Sequence, residues 1–294
     1  MSNLPKVSVW IPTYNRKSML ERALNSVLKQ TYDNLEIFIV DNGSTDGTEK
    51  MIEGYIDRFS NIKYHRFDSN KGACEARNFA IINGTGELMT GLDDDDEFLP
   101  NRIHQLVDAY DEKYSFICTG FYWDYGTYSK ARIDSFLEIK LHDQLNFNQA
   151  SNQVLVSKKK LIEVGGFDRD MVSCQDWDLW TRLIIKFGMA VRINKASYVV
   201  HTGHNKPRIT SSIVNRLTGI DQFYCKYSKL MSKQNGKCFA FLRLYNSEEK
   251  LSVIDFFRLF TWPIKDQLVR YFIASRFPKL AKKRLQRLGS KEGK

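Results

Sequence analysis

Residues 88–97 combine a short, mostly apolar run with five consecutive carboxylates, Asp93 to Glu97. Adjacent carboxylates repel one another unless a positive charge lies among them, and hard oxygen ligands of this kind suit Mg²⁺ or Mn²⁺. A strand that carries acids to its carboxyl end also places them where open α/β sheets bind ligands. Because most charge runs lie on solvated surfaces, a wet acidic turn is the competing interpretation.

The elements that must position these acids are predicted by the apolar pattern of the first hundred residues. Strand-like runs at residues 7–11, 35–40, 62–67 and 88–92 alternate with helical periodicity after the capping-box pattern Ser18 to Glu21, at residues 51–59 and at residues 73–82. This β-α-β-α-β-α-β order predicts an α/β fold with a parallel, Rossmann-like sheet and right-handed crossovers.

Beyond Pro100 the pattern is looser. Strands are expected at residues 116–119, 153–156, 191–193 and 198–200, helices at residues 158–164 and 176–187, and an irregular aromatic segment at residues 121–148. From about Leu217 the chain is predicted to be helical and basic. We therefore expect a catalytic domain over residues 1–215 and a helical extension over residues 216–294.

Positive charge is concentrated in the C-terminal third. The chain of 294 residues has a net charge of +10, yet residues 206–294 hold 20 Lys/Arg against 6 Asp/Glu and residues 1–205 hold 24 against 28. Large aromatic residues stand among these basic residues, which suits amphipathic helices lying on an anionic membrane surface. A helical cap that packs on the body and keeps Lys/Arg in water is the alternative.

Other bulk features suggest a reducing cytoplasm. The five cysteines are scattered without a CxxC pair, which argues against a disulfide framework and a structural zinc site. The first residues lack the apolar core of a signal peptide, and no stretch approaches about 18 continuous apolar residues.

The residues exclude two common kinds of binding site, a dinucleotide site and an EF-hand calcium site. A dinucleotide-binding Rossmann domain needs G-x-G-x-x-G after its first strand, whereas this chain has Pro12-Thr13-Tyr14-Asn15. An EF-hand needs a glycine at the sixth position of its loop and a bidentate Glu at the twelfth, where His104 stands.

Six motifs together resemble the family 2 glycosyltransferases of the GT-A fold, over roughly residues 5–212. They are WIPTYNR at 10–16, VDNGSTDGT at 40–48, NKG and ARN at 70–72 and 76–78, LDDDD at 92–96, GGFD at 165–168 and QDWDLW at 175–180. One such motif would be weak evidence, but six in this order are specific. The family usually has Glu where this chain has Gln175, which puts any supporting role of that acid in doubt.

The resemblance implies a role for each matching position. The nucleotide-sugar would bind Pro12, Thr13, Tyr14, Arg16, Asp41, Arg77, Asp93 and Asp94. Asp95 would be the main ligand of Mn²⁺ or Mg²⁺, Asp176 the general base, and Gly166 and Trp177 part of the acceptor site. His201 either completes the metal shell or is structural, and Trp177 either stacks on an acceptor sugar or lies in the core. Arg208 could close over the diphosphate, while Asp46 and Ser44 could cap a helix and Asp96 and Glu97 form the solvated part of the turn.

The resemblance thus implies a metal-dependent, inverting enzyme of the hexosyltransferase class. It would move a hexose or N-acetylhexosamine from a nucleotide-sugar, expected to be a UDP-sugar, to a saccharide carried on polyprenyl diphosphate, as in O-antigen or capsule assembly. We expect the protein in the cytoplasm, on the inner face of the cell membrane, with no nucleic-acid partner. The competing interpretations are a nucleotidyltransferase and a non-catalytic sugar- or membrane-binding module.

Overall fold

The computed structural model describes residues 4–126, 129–132, 135–150, 153–202 and 212–277. Contacts divide these residues into two compact units. The first contains the described residues of Met1–Lys140, Ala150–Asp170 and Asp176–His204, and the second those of Leu141–Gln149, Met171–Gln175 and Asn205–Lys294. The boundary expected after residue 215 stays a prediction.

Strands are confined to the first unit among the described residues. They are β1 Val7–Thr13, β2 Leu35–Asp41, β3 Ile62–Arg66, β4 Leu88–Gly91, β5 Glu97–Phe98, β6 Ile117–Asp124, β7 Ser129–Arg132, β8 Leu137–Ile139, β9 Val156–Ser157 and β10 Ala190–His201.

Helices occur in both units. They are α1 Lys17–Leu28, α2 Thr48–Ile56, α3 Ala73–Asn83, α4 Arg102–Asp108, α5 Leu141–Gln144, α6 Lys158–Glu163, α7 Gln175–Phe187, α8 Ile213–Tyr227, α9 Lys233–Asn246, α10 Val253–Leu259 and α11 Lys265–Arg276.

The central sheet has the predicted parallel architecture. Its strand order is β3-β2-β1-β4-β9, with the first four strands parallel and β9 antiparallel. Every residue of β1 and β2 is buried, as expected for parallel strands that are covered on both faces. The register places Thr13 beside Asp41, so the polar residues that end these strands lie at one edge.

A second sheet follows the order β5-β10-β6-β7, with β8 pairing to β10. Here two sequence-based expectations are wrong. The two short strands expected at residues 191–193 and 198–200 form one strand, β10, interrupted by register shifts near Ala196. The segment at residues 121–148, expected to be irregular, contains the end of β6 and also β7, β8 and α5.

The start of α1 also differs from the expectation. The helix begins at Lys17, so Ser18 lies inside it and no side chain of the N-cap residue, Arg16, accepts a hydrogen bond. Instead, Asp46 accepts hydrogen bonds from the backbone N–H of Lys17 (2.9 Å) and of Thr48 (3.2 Å), which begin α1 and α2. One carboxylate therefore satisfies N–H groups at two helix starts, in the capping role expected of Asp46.

The second unit has its own core. Three helices, α9 to α11, contribute most of it, and Cys238, Phe241, Leu259, Ile264 and Leu268 are among its buried side chains. Within the described part of the chain, no helix is both long and apolar enough to cross a bilayer.

A buried carboxylate, Glu36, holds the amino ends of the central strands together. It accepts hydrogen bonds from Ser8 Oγ (2.6 Å) and the Thr85 backbone N–H (2.7 Å), and it pairs with Lys63 Nζ at 2.8 Å. Burial opposes the charged form, but Lys63 and the hydrogen bonds outweigh it and lower the pKa of Glu36 to about 2. β1, β2, β3 and the segment before β4 are thereby joined at one edge.

We predict that Glu36→Gln lowers the free energy of unfolding at pH 7 by up to about 3 kcal/mol. Because the folded-state pKa of Glu36 is depressed, its stabilisation is present above pH 4.5 and is lost as pH falls towards 2. Denaturant unfolding at several pH values should therefore show wild type and variant converging in acid. The exposed Glu53→Gln on α2 is the control, and a gap that persists at low pH would contradict this account.

Candidate active site

The five carboxylates, called here the acidic turn (residues 93–97), lie where the chain passes from the first sheet to the second. Leu92 follows β4 and donates its N–H to Trp10 O of β1 at 3.0 Å. Asp96 N–H then closes the turn on Asp93 O at 3.0 Å, and β5 pairs with β10. The acids therefore stand beside the carboxyl ends of β1 and β4, as the sequence predicted.

Asp94 and Asp95 share one guanidinium. Arg16 Nη1 lies 2.9 Å from Asp94 Oδ1 and 3.4 Å from Asp95 Oδ2, and Thr13 Oγ1 donates to Asp94 Oδ2 at 2.8 Å. Both carboxylates are nearly buried. Burial, together with the neighbouring Asp95, raises the pKa of Asp94 to about 6 despite Arg16. Burial and Asp95 therefore oppose the charged form of Asp94, while Arg16 and Thr13 favour it.

Asp93 faces a different cation. Its Oδ1 accepts hydrogen bonds from Arg77 Nη2 at 2.9 Å and from Gln153 Nε2 at 3.2 Å. The Arg77 guanidinium also lies over the Phe167 ring, 5.2 Å from its centroid. The first three acids of the turn are thus divided between two arginines, Arg77 for Asp93 and Arg16 for Asp94 and Asp95.

Asp176, the predicted general base, is the second residue of α7. Burial raises its pKa to about 6, and nearby Asp93 adds to this effect. The backbone N–H of Trp177 and the charge of Arg77 act in the opposite direction. The structure therefore brings Arg77, Asp93 and Asp176 into one electrostatic cluster. The positive charge of Arg77 favours the ionised form of Asp176 and also pairs with Asp93.

The expectation that Asp96 is solvated is wrong. Asp96 is only 1% exposed. Its Oδ2 accepts a hydrogen bond from Tyr198 OH at 2.9 Å, and its Oδ1 accepts one from the His201 backbone N–H at 3.1 Å. A buried carboxylate needs such partners, so Asp96 fastens the turn to β10.

Glu97 is also paired rather than freely solvated. It lies 3.1 Å from Arg22 Nε, and its Oε1 lies 2.7 Å from His201 Nε2. The other ring nitrogen of His201 lies 2.6 Å from Asp124 Oδ2. Both ring nitrogens of His201 thus contact carboxylates, and its role as a metal ligand stays a prediction.

The other nucleotide-site candidates occupy the same edge with different exposure. Tyr14 is 43% exposed, whereas Pro12 lies buried in β1. Asp41 is fully buried and accepts hydrogen bonds from Ser44 Oγ (2.6 Å) and Tyr64 OH (2.8 Å). Its contact with a nucleotide stays a prediction, since one carboxylate oxygen already holds the loop after β2 and the other accepts from Tyr64 on β3.

The acceptor-side candidates have clear local environments. Gly166 has a φ of +66°, and a Cβ there would lie 2.4 Å from Asn78 Oδ1. Asn78 clamps the next residue by donating to Phe167 O (2.8 Å) and accepting from Phe167 N–H (2.7 Å). Trp177 is 3% exposed. Local packing thus accounts for the glycine, and both acceptor contacts stay predictions.

Two sequence-based candidates lie outside the described residues. Arg208 falls in residues 203–211, and the most basic part of the tail falls in residues 278–294.

The fit of a divalent cation can be judged from the donor set. Asp94 and Asp95 offer the hard carboxylate oxygen atoms that Mg²⁺ and Mn²⁺ prefer, close enough together to share Arg16. Among the described residues, no group of three or more His, Cys, Asp or Glu side chains is arranged to hold a metal. One or two carboxylates plus substrate phosphates is the mode in which Mg²⁺ is commonly bound. The residues present fit that mode.

Comparison with known proteins decides the family. Residues 8–167 match the model of Glycosyl transferase family 2. The chain belongs to this family. As a glycosyltransferase, it is 32% identical over 263 residues to WcaA of Escherichia coli (strain K12), whose name assigns it to colanic acid biosynthesis. That match covers 85% of this chain and 91% of the relative.

A second relative is matched over a shorter region. It is the GalNAc(5)-diNAcBac-PP-undecaprenol β-1,3-glucosyltransferase of Campylobacter jejuni, 34% identical over 115 residues. This match covers 39% of the glycosyltransferase described here and 37% of the relative.

Solved structures support the GT-A fold. TarS 1–349 of S. aureus, in complex with UDP-GlcNAc, has a TM-score of 0.64 at 18% identity, over 92% of this chain and 81% of that one. Against the longer TarS chain, the match spans 49% of its length. The mannosyltransferase PcManGT of Pyrobaculum calidifontis, in complex with GDP-Man and Mn²⁺, has a TM-score of 0.61 at 18% identity, over 97% of this chain and 81% of that one.

Sequence reasoning missed the groups that support the acidic turn of this glycosyltransferase. Arg102 on α4 is fully buried, and it donates to Thr119 Oγ1 and to Gln153 O. Its guanidinium lies 4.9 Å from the ring centroid of Phe98 and 5.1 Å from that of Tyr198, and burial lowers its pKa to about 10. An arginine in a short helix gives no signal that it will be buried, so only the three-dimensional structure identifies it.

We predict that Tyr198→Phe loosens the acidic turn. The Tyr198 hydroxyl donates to Asp96 and accepts the Asp93 N–H at 3.3 Å, so its loss takes one hydrogen bond from a buried carboxylate and one from a partly buried N–H. The free energy of unfolding should fall by about 1–3 kcal/mol, and the KM for the donor should rise.

The control is Tyr32→Phe, which removes another buried tyrosine hydroxyl, bonded to Pro5 O at 2.6 Å. It should lower stability and leave donor kinetics unchanged. Equal donor kinetics for Tyr198→Phe and wild type would contradict the supporting role of Tyr198.

Proposed function

We propose that this glycosyltransferase moves a hexose or N-acetylhexosamine from a UDP-sugar to a saccharide carried on polyprenyl diphosphate, with inversion at the anomeric carbon. The observation that carries the proposal is Asp176, a carboxylate whose pKa is raised to about 6 beside Arg77 and Asp93. Such a group is ionised at neutral pH and is still basic enough to accept a proton. The names of the Escherichia coli and Campylobacter jejuni relatives support a role in polysaccharide assembly.

The proposed reaction is a single displacement. Asp176 removes the proton of the acceptor hydroxyl, whose oxygen forms a bond to the anomeric carbon. The bond from that carbon to the donor diphosphate breaks, and the nucleoside diphosphate leaves from the opposite face. Arg77 holds Asp93 at 2.9 Å, while Arg16 and Thr13 hold Asp94, so both acids are fixed before the donor binds.

A divalent cation would be held chiefly by Asp95, with His201 as a candidate second ligand. When bound, it would neutralise charge on the leaving diphosphate. In the structure, the guanidinium of Arg16 forms ion pairs with Asp94 and Asp95.

The proposed location is the inner face of the cell membrane, where a polyprenyl-linked acceptor would be reached from the cytoplasm. The excess of basic residues over residues 206–294 supports attraction to an anionic lipid surface. A panel of UDP- and GDP-sugars, scored by thermal shift with Mn²⁺ present, tests the donor. Stabilisation by GDP-sugars alone would overturn the choice of uridine.

We predict that Asp176→Asn abolishes transfer, lowering kcat by a factor of about 100 or more, because general-base catalysis contributes that much. The folded state disfavours the charged form of Asp176, so the variant should be at least as stable as wild type at pH 7. Transfer of radiolabelled sugar to a lipid-linked acceptor measures the loss. The exposed Asp108→Asn is the control, and full activity of Asp176→Asn would exclude its role as the base.

The pH dependence of kcat/KM should report the same group. Since Asp176 must be ionised to accept a proton, activity should fall as pH drops through about 6, at least tenfold per unit below it, because Asp94 becomes protonated over the same range. Arg77 and the backbone N–H of Trp177 pull this pKa down, and Asp93 pushes it up. Arg77→Lys would retain the charge but lose the planar contact with Asp93. A flat profile between pH 4.5 and 7 in the wild type would rule out this assignment.

We predict that EDTA removes transferase activity and that Asp95→Asn weakens Mn²⁺ binding by about tenfold or more, measured by calorimetry with UDP present. His201→Gln should weaken it less, because the ring already contacts Glu97 and Asp124. Activity that is indifferent to EDTA would remove the metal from the proposal. Equal effects of the two substitutions would make His201 a full ligand.

A further inference from the structure

The second unit exposes an unusual group of large apolar side chains around α10. Ile254 is 79% exposed, Phe257 71% and Trp262 72%, although Phe and Trp normally bury most of their surface. Ile254 and Phe257 are three residues apart and so lie on one face of the helix. Trp262 follows the helix, in the short 3-10 turn Trp262–Ile264, and the three residues together are called here the α10 apolar face.

The opposite side of α10 is also apolar, because it packs against the core of the second unit. Leu259 is buried in the core of the second unit, and Phe256 packs against that core. The core therefore already has its own apolar side chains from α10. Within the described residues of this unit, the core contacts do not cover the exposed ones, and an exposed apolar group of this kind often marks an interaction site.

The next helix repeats the pattern. Val269, Ile273 and Phe277, spaced four residues apart, are exposed, while Leu268 is buried in the core. Spacing of this kind places the three side chains in one stripe along α11 and its end. Two successive helices thus each present one apolar side to their own core and another to solvent.

The charges beside these stripes favour one kind of partner. Lys265 Nζ lies 4.5 Å from the Trp262 ring centroid, and Arg276 lies 4.7 Å from that of Phe272. Arg258 and Arg270 are exposed on the same two helices. Over residues 253–277 the sequence has four Lys/Arg and two Asp/Glu, and residues 278–294 add seven Lys/Arg against one Glu.

We propose that the α10 apolar face inserts into the interfacial region of an anionic bilayer, with the neighbouring Lys and Arg side chains at the level of the lipid phosphates. Tryptophan with adjacent basic residues is the combination that membrane interfaces favour. The inference rests on one part of the proposed function, namely that a membrane lipid carries the acceptor.

Binding then has two separable parts. Attraction between basic residues and anionic lipid is screened by salt, whereas burial of Ile254, Phe257 and Trp262 is not. A tail that bound by charge alone would leave the bilayer completely at high ionic strength. Insertion of the α10 apolar face leaves a salt-resistant remainder.

The test is co-sedimentation of the full chain with vesicles of phosphatidylglycerol and phosphatidylcholine, at low and high salt. Phe257→Ser combined with Trp262→Ser should lower the partition coefficient by about tenfold or more at both salt concentrations. The matched control is Ile213→Ser with Val214→Ser, which removes two exposed apolar residues of α8. Wild-type binding by the first pair, or an equal loss in the control pair, would overturn the proposal.

Fluorescence gives a second measurement that needs no destabilising change. Of the five tryptophans, Trp10, Trp177 and Trp180 are buried and Trp123 is half-buried, so vesicles should blue-shift and shield chiefly the exposed Trp262. Trp262→Phe should remove most of that shift, and an unchanged wild-type spectrum would contradict insertion. Self-association without vesicles, abolished by the Phe257/Trp262 pair, would identify a second copy of the chain as the partner and overturn the lipid proposal.

Two further measurements distinguish a failure of membrane insertion from a failure of the proposed function. They are sugar transfer to a water-soluble saccharide and the thermal shift caused by the donor. Both should be unchanged in the Phe257/Trp262 variant if the enzyme acts as proposed. Loss of vesicle binding with intact transfer would support insertion, and vesicle binding without any transfer would reject the proposed reaction alone.

Discussion

The structure of the site depends on the need to keep five consecutive carboxylates together where the chain leaves one sheet and enters another. Mutual repulsion would open such a turn, so each acid has its own partners. Arg77 holds Asp93, Arg16 holds Asp94 and Asp95, and Tyr198 holds Asp96. The cations come from α3 and from the loop after β1, and the tyrosine comes from β10. Folding of three separate segments is therefore a condition for the turn to form.

This arrangement places two carboxylates side by side, which suits phosphate chemistry. Two nearly buried acids, Asp94 and Asp95, share Arg16, and the pKa of Asp94 is raised to about 6 as a result of burial and its neighbour. A divalent cation bridging to a diphosphate would relieve that repulsion. On the other side of Arg77, burial and Asp93 raise the pKa of Asp176 while Arg77 lowers it. The result, a pKa of about 6, is the basicity that a proton acceptor needs. One set of electrostatic constraints thus accounts for both halves of the proposed reaction.

Sequence patterns predicted what depends on local periodicity and failed where distant residues decide. Continuous apolar runs predicted the parallel strands, and the motif order predicted the family, which the comparisons confirmed. The capping box at Ser18 failed because Asp46, from another loop, satisfies the N–H of Lys17. Asp96 was expected in solvent because its neighbours are charged, yet Tyr198 lies about a hundred residues away and buries it. Such pairings leave no trace in local composition.

The most direct test of the central claim is a crystal structure of the protein with an intact UDP-sugar and Mn²⁺, recorded with anomalous data at the manganese edge. The account predicts one anomalous peak beside the Asp95 carboxylate and the diphosphate, with the nucleotide at the carboxyl ends of β1, β2 and β4. A peak enclosed by His201, Glu97 and Asp124, or a nucleotide bound away from the acidic turn, would contradict it.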